Sequence, residues 1–168
     1  MTVVPLLELP RLVARGTRLL GLDVGKRTVG LALSDATWTV ATPTRTLART
    51  RLAADLDALG KLVAELEVGG LVAGLPVQMD GREGPRSQSV RQFVRDVTRA
   101  IGLPAAFWDE RLSTAAVERT LIGDADLSRK RRRQVVDRAA AAWILQGALD
   151  ALRNAVPPTP GGGAGRDA

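Results

Sequence analysis

A chain of 168 residues has room for one domain with a real hydrophobic core and too little for two. Hydrophobic residues make up 45% and charged residues 25%, which excludes a disordered or fibrous chain, and 24 basic against 18 acidic residues leave a net +6 that suits a polyanionic partner such as nucleic acid. Cysteine and histidine are both absent, so disulfides, thiolate zinc sites, cysteine nucleophiles and imidazole chemistry are excluded, and any acid/base or metal chemistry rests on carboxylates, amines or water.

Oxygen ligands point to hard cations such as Mg²⁺ or Mn²⁺. The only lysines are Lys26, Lys61 and Lys130, and an arginine-rich set of bases suits bidentate contact with phosphate. No apolar run approaches the ~20 residues that cross a bilayer. The opening MTVVPLLELPRLVARG lacks the basic-then-apolar order of a signal peptide, so no membrane association and a cytoplasmic location are expected.

In chain order, residues 1–16 hold Pro5 and Pro10 and read as a flexible extension. TRLLGLDVG is a buried strand and TVGLALSD a second, joined at Gly25 by a turn short enough for an antiparallel hairpin. TPTRTLAR is a third strand, at the edge. Leu52, Leu56, Leu59, Leu62, Val63 and Leu66 recur at helical spacing, and VGGLVAGLP is then a continuous apolar run, as expected for a central strand covered on both faces. After the loop VQMDGREG, Pro85 opens a second helix with a buried stripe of Val90, Phe93, Val94, Val97 and Ile101.

A short strand, PAAFWDE, follows the break at Gly102. Ser113 is placed to cap a third helix, and an Ala-rich helix runs from about Lys130 to Arg153. Residues 17–153 thus form a single domain, and 154–168 a Pro/Gly tail expected to be disordered. Strand hairpins followed by alternating helices and strands argue for a mixed sheet with helices on both faces.

Three acidic positions interrupt apolar elements: Asp23 in the first strand, the pair Asp109–Glu110 ending the last strand, and Asp137 in the final helix. Asp137 shares an inward face with Ala140, Ala141 and Ile144, and the run from Ala139 to Ala142 lets that helix lie close to the sheet and bring Asp137 near Asp23. Each acid alone has a structural reading: Asp23 accepting backbone hydrogen bonds, Glu110 paired with Arg111, Asp137 at a helix N-terminus. Together they carry more. Two carboxylates ~4 Å apart repel by about 4 kcal/mol at an effective dielectric of 20. A cluster of three therefore calls for protonation or a bound cation, and a pair of metal ions suits in-line attack on a phosphodiester. Adjacent strand residues point to opposite faces, so one of Asp109 and Glu110 faces such a site, and spacing alone leaves open which.

GLDVGKRTVGLALSD, GLPVQMDG, WDERLST and VVDRAAAAWIL together resemble the signature segments of the YqgF family, also called RuvX, within the RNase H-like superfamily, over about residues 18–150. The resemblance implies an RNase H-like fold, a five-stranded sheet with three antiparallel and two parallel strands, and a divalent-metal nuclease. The family is associated with Holliday junction resolution and with 5′-end maturation of precursor 16S ribosomal RNA. Its acidic positions fall on Asp23, Glu110 and Asp137 here, as catalytic residues and metal ligands, and the match favours Glu110 over Asp109. Related RuvC-type resolvases often carry a histidine near the last acid; this chain has none.

Lys26 and Arg27 follow the metal-site turn, placed to touch phosphate or simply to form a solvated hairpin tip, and Arg111 follows the last strand, placed to hold a carboxylate or, second to that, to touch the scissile phosphate. Arg129, Lys130, Arg131, Arg132 and Arg133 form a cationic block just before Asp137, read as a substrate-binding surface. Aromatic residues are 3% with no tyrosine, so base stacking gives way to backbone and shape recognition, which suits branched DNA or structured precursor rRNA. Symmetric cutting of a four-way junction calls for a homodimer.

Two other functions compete. An ATPase is suggested by D-x-G at a strand end, as in actin-like and sugar-kinase folds, but those need two such lobes, and three rather than four residues separate Gly21 from Gly25, against the Walker pattern. A non-catalytic nucleic-acid scaffold would keep three acids that repel its own ligand.

Overall fold

The computed structural model describes residues 2–78, 80–112 and 129–155. β1 (Arg18–Val24) and β2 (Thr28–Ser34) form the expected hairpin, closed where Gly25 N–H donates to Thr28 O at 2.8 Å. β3 (Ala41–Ala48) pairs antiparallel with β2 on the outer side. On the other side of β1 lie β4 (Val68–Leu75) and β5 (Ala105–Asp109), both parallel, giving the order β3-β2-β1-β4-β5. Among the described residues this is a mixed sheet of three antiparallel and two parallel strands, as expected.

Parallel neighbours need long crossovers, and helices supply them. α2 (Leu52–Glu65) joins β3 to β4 and α3 (Pro85–Ile101) joins β4 to β5. Pro85 sits in the first turn of α3, where its missing N–H costs no hydrogen bond. Gly102 ends the helix in the left-handed region at φ 78°, its N–H donating to Thr98 O at 2.8 Å.

The period-2 alternation along β1 divides the core in two. Leu20, Leu22 and Val24 face one side, where they meet Leu59 and Leu62 of α2 and Val90, Phe93 and Val94 of α3. Leu19 faces the other and meets Ala141, Ile144, Leu145 and Leu149 of α4 (Arg129–Ala155). Gly21 and Asp23 share the parity of Leu19, so Asp23 lies on the α4 face.

The N-terminal segment departs from the flexible extension read from the sequence. A 3-10 turn at Leu6–Glu8 leads into a short α1 (Leu9–Leu12), with Leu9 fully buried and Val13 nearly so against the α4-side core. Val3 bridges to Ala105 in parallel, and Val4 N–H donates to Ala105 O at 2.8 Å. Pro10 sits in the first turn of α1, where proline is tolerated; the prolines mark a helix start, and the apolar residues between them reach the core. The Ser113 cap, the helix expected after it, and residues 156–168 of the expected tail lie outside the described residues. No described helix is long and apolar enough to cross a membrane.

Candidate active site

The sequence places Asp23 near the end of β1, directly across from Gly30 of β2. The backbone of α4 passes over that glycine at Asp137, so closely that a Cβ on Gly30 would overlap the Asp137 carbonyl. Gly30 therefore sets where Asp137 can be, next to Asp23 across the hairpin. Thr28, two residues earlier on the same face, donates its Oγ1 hydrogen to Asp137 Oδ2 at 2.5 Å and orients the carboxylate.

A parallel arrangement holds the third acid. β5 ends at Asp109, and Glu110 begins a 3-10 turn. Trp108 pairs with Gly74 of β4. A Cβ on Gly74 would stand 2.8 Å from Glu110 Oε1, so glycine leaves the space the Glu110 side chain uses. Strand parity separates the two acids of WDE. Ala105 belongs to the α2/α3-side core and Ala106 to the α4-side core, so Glu110, with the parity of Ala106 and Trp108, returns toward Asp23. Asp109 points away and is held by Arg111, with Nη2 2.5 Å from Oδ2.

Electrostatics show how tightly the first pair is joined. Burial, then the charges of Glu110 and Asp137, then a hydrogen bond with Glu110 push the Asp23 carboxyl up to about 7, against the pull of Arg86. Glu110 is also pushed above its ordinary range, first by burial, while Arg86 and the hydrogen bond from Asp23 pull it back. The bond raises Asp23 and lowers Glu110, the pattern of two carboxyls that share one proton between them. Asp109 behaves oppositely: its bond to Arg111 holds it below the ordinary carboxylate range.

As the side chains stand, no three acidic groups among the described residues form a finished cation cage. Asp23 and Glu110 are hydrogen-bonded to each other, and Asp137 bonds to Thr28. The upward push on both carboxyls favours a proton between them, which relieves part of the repulsion expected of clustered carboxylates.

The other expected residues fall in three groups. Lys26 and Arg27 are exposed in the two-residue turn after Gly25. Arg111 is paired with Asp109, so of the two roles read for it, holding a carboxylate is the one seen, and the carboxylate is Asp109 rather than Glu110. Arg129, Lys130, Arg131, Arg132 and Arg133 lie in the first turns of α4; their side chains are outside the described set.

Thr28, Gly30 and Arg86 were not singled out by sequence reasoning. A glycine inside a strand pattern signals close backbone approach, and Gly30 carried that signal. Counting strand parity back from Gly30 would have pointed to Thr28. Arg86 had no local signal, because its nearness to Asp23 and Glu110 comes from the α3 crossover.

Comparison with known proteins agrees with this architecture. A protein from Phenylobacterium zucineum named as a candidate pre-16S rRNA nuclease is 54% identical over 155 residues, covering 92% of this chain and 99% of its own. One of the same name from Paramagnetospirillum magneticum is 57% identical over 143 residues, covering 85% and 92%. Among solved structures, Thermus thermophilus RuvC in complex with a Holliday junction substrate is similar at TM-score 0.55 and 14% identity, over 83% of this chain and 98% of that one. A fowlpox virus resolvase in complex with Holliday junction DNA is similar at TM-score 0.51 and 7% identity, over 81% and 99%. These two likenesses are of fold, and they identify the sheet as RNase H-like. Residues 17–151 match the family model described as RuvX, Holliday junction resolvase. With β1 to α4 inside that match and close relatives along nearly the whole chain, this protein belongs to the RuvX family of Holliday junction resolvases.

Proposed function

We propose that the chain is a divalent-cation-dependent nuclease that hydrolyses phosphodiesters in structured nucleic acid, with Asp23, Glu110 and Asp137 as its cation ligands. The observation that carries this is the half-buried Asp23–Glu110 pair, with Asp23 raised to about 7 and Asp137 close enough to act on it electrostatically. Paired carboxylates kept at such a cost in a fold of marginal stability are characteristic of functional sites.

The donor set fits a hard cation: all three groups offer oxygen, and a chain without cysteine or histidine has no softer ligand to give. Mg²⁺ and Mn²⁺ are the ions of that class expected here, and when bound they supply positive charge against the transferring phosphoryl group and acidify water. The protein's own contribution is to hold the ligands. Gly30 and Gly74 bring two of them in, Thr28 orients Asp137, and Asp23 and Glu110, paired with each other without a cation, would both be ionised in holding one. Arg86 adds a fixed positive charge that favours the ionised forms of Asp23 and Glu110.

The substrate class is branched DNA, precursor 16S rRNA, or both, as the names of the family and of its relatives suggest. The exposed Lys26 and Arg27, and the basic start of α4, are read as backbone contacts. A junction with two-fold symmetry calls for two copies of the chain, and both substrates are cytoplasmic in bacteria.

The test is cleavage of a four-way DNA junction and of precursor 16S rRNA, side by side, with Mg²⁺ or Mn²⁺. Wild type is expected to cut at least one, and Asp23→Asn to lose more than about 100-fold in rate, beyond the 10–100-fold typical of groups outside the ligand set. Equal rates for the two proteins would remove Asp23 from the site. Binding without cleavage under any divalent ion would favour a scaffold.

A further inference from the structure

On the side of the sheet opposite the carboxylates, where β1 ends, the surface sinks into a cavity of about 460 Å³ between the Gly25 turn and α3. Its apolar wall includes Val24 and Val90, both part of the α2/α3-side core. Its polar lining includes Lys26, Arg49, Arg86 and Ser89 and, among the described residues, no acidic side chain.

Arg49 is fixed from two directions: Nη1 donates to Gly25 O at 2.7 Å, and the guanidinium lies 4.7 Å from the centre of the Phe93 ring. Among the described residues none of Lys26, Arg49 and Arg86 is joined to a carboxylate in an ion pair. Three cations gathered over apolar walls repel one another unless an anion joins them. A wall of low dielectric also strengthens their pull on that anion.

Arg86 gives the cavity its relation to the rest of the molecule. It lines the cavity and also acts electrostatically on both Asp23 and Glu110. Arg86 is therefore common to the two places, part of the cavity's lining and within electrostatic reach of the carboxylates. We infer that the Lys26–Arg49–Arg86 cavity is a phosphate-binding subsite, taking a second phosphate of the strand whose scissile phosphate lies at the carboxylates. This rests on the nuclease reading for the strand's path, and on the cavity alone for its affinity for phosphate. The phosphate is either an internal diester flanking the cut or the monoester at a 5′ end; both present the oxygens that guanidinium and ammonium groups grip. Fixing two phosphates of one strand sets which bond reaches the acids, so the cavity governs cutting position.

Ser89 provides the test, because it lies on the exposed side of α3 and takes no part in the carboxylate site. Binding of the full chain to a labelled four-way junction is measured by fluorescence anisotropy across a salt series, a readout independent of cleavage. Ser89→Glu, which places a negative charge in the cavity, is expected to weaken binding about tenfold and to lower the salt slope by about one. Ser89→Gln is expected to stay within about twofold, and circular dichroism confirms that both fold.

Junctions with single neutral methylphosphonates near the crossover, and junctions with or without 5′-phosphates, then identify the source. One internal position should weaken wild type but leave Ser89→Glu unchanged; if the 5′-phosphate does so instead, the occupant is a strand end. Wild-type affinity in Ser89→Glu, or identical losses in the two proteins for every modified probe, would overturn the subsite. A chain that shows this pattern but never cleaves would keep the subsite and lose the nuclease reading. Cleavage without the pattern would do the reverse, and no binding at all would end both.

Discussion

Asp23 is raised from 3.8 to about 7 in the folded chain, so between those values the native state holds a proton that the unfolded state has released. Its contribution to stability is therefore complete below about pH 4 and is lost as pH rises through 7. Asparagine has no proton to lose. In the absence of divalent cations, Asp23→Asn should be more stable than wild type at pH 8, by on the order of 2–4 kcal/mol, with the advantage shrinking toward pH 4. Urea unfolding at the two pH values measures it, and a pH-independent difference would mean that Asp23 is not held in its neutral form. Cation binding should reverse the order, because it stabilises the ionised site of wild type alone.

At the scale of elements, the site depends on how closely α4 lies on the sheet. Gly30→Ala would drive a methyl group into the Asp137 backbone, and overpacking of this kind costs about 1–3 kcal/mol. The melting temperature should fall by about 2–12 °C, and nuclease activity should fall further than stability, since α4 can move away only by carrying Asp137 with it. Unchanged activity in a folded Gly30→Ala protein would show that this contact does not position Asp137. The same contact explains what was legible in the sequence. The Ala139–Ala142 run announced a close helix, and the periodicity of Leu52–Leu66 and of Val90–Ile101 announced α2 and α3 because each buries one face. The choice between Asp109 and Glu110 was not legible from spacing, because parity needs a known reference face. Ala105 and Ala106 supply one only when the cores on the two sides of the sheet are seen.

Across the whole molecule, long-range assembly was harder to read than local pattern. Arg86 and Arg49 are distant in sequence from Asp23 and Gly25; the crossover through α3 brings in the first, and the antiparallel pairing of β3 with β2 brings in the second. The N-terminal segment teaches the same lesson, since two prolines in a short apolar stretch look alike whether the stretch floats or packs. Leu9 is fully buried, so Leu9→Ala should cost about 2–5 kcal/mol. A floating segment would show no change in the unfolding midpoint. Such a loss would make residues 2–13 part of the domain rather than an appendage to it.

The central claim, that acids from β1, the turn after β5 and α4 serve one cation, is most directly tested by Mn²⁺ binding, read from the free-ion electron paramagnetic resonance signal. Wild type should bind Mn²⁺ more tightly as pH rises through 7, and Asp23→Asn, Glu110→Gln and Asp137→Asn should each weaken it at least about tenfold. Four proteins with the same Mn²⁺ affinity would contradict the account.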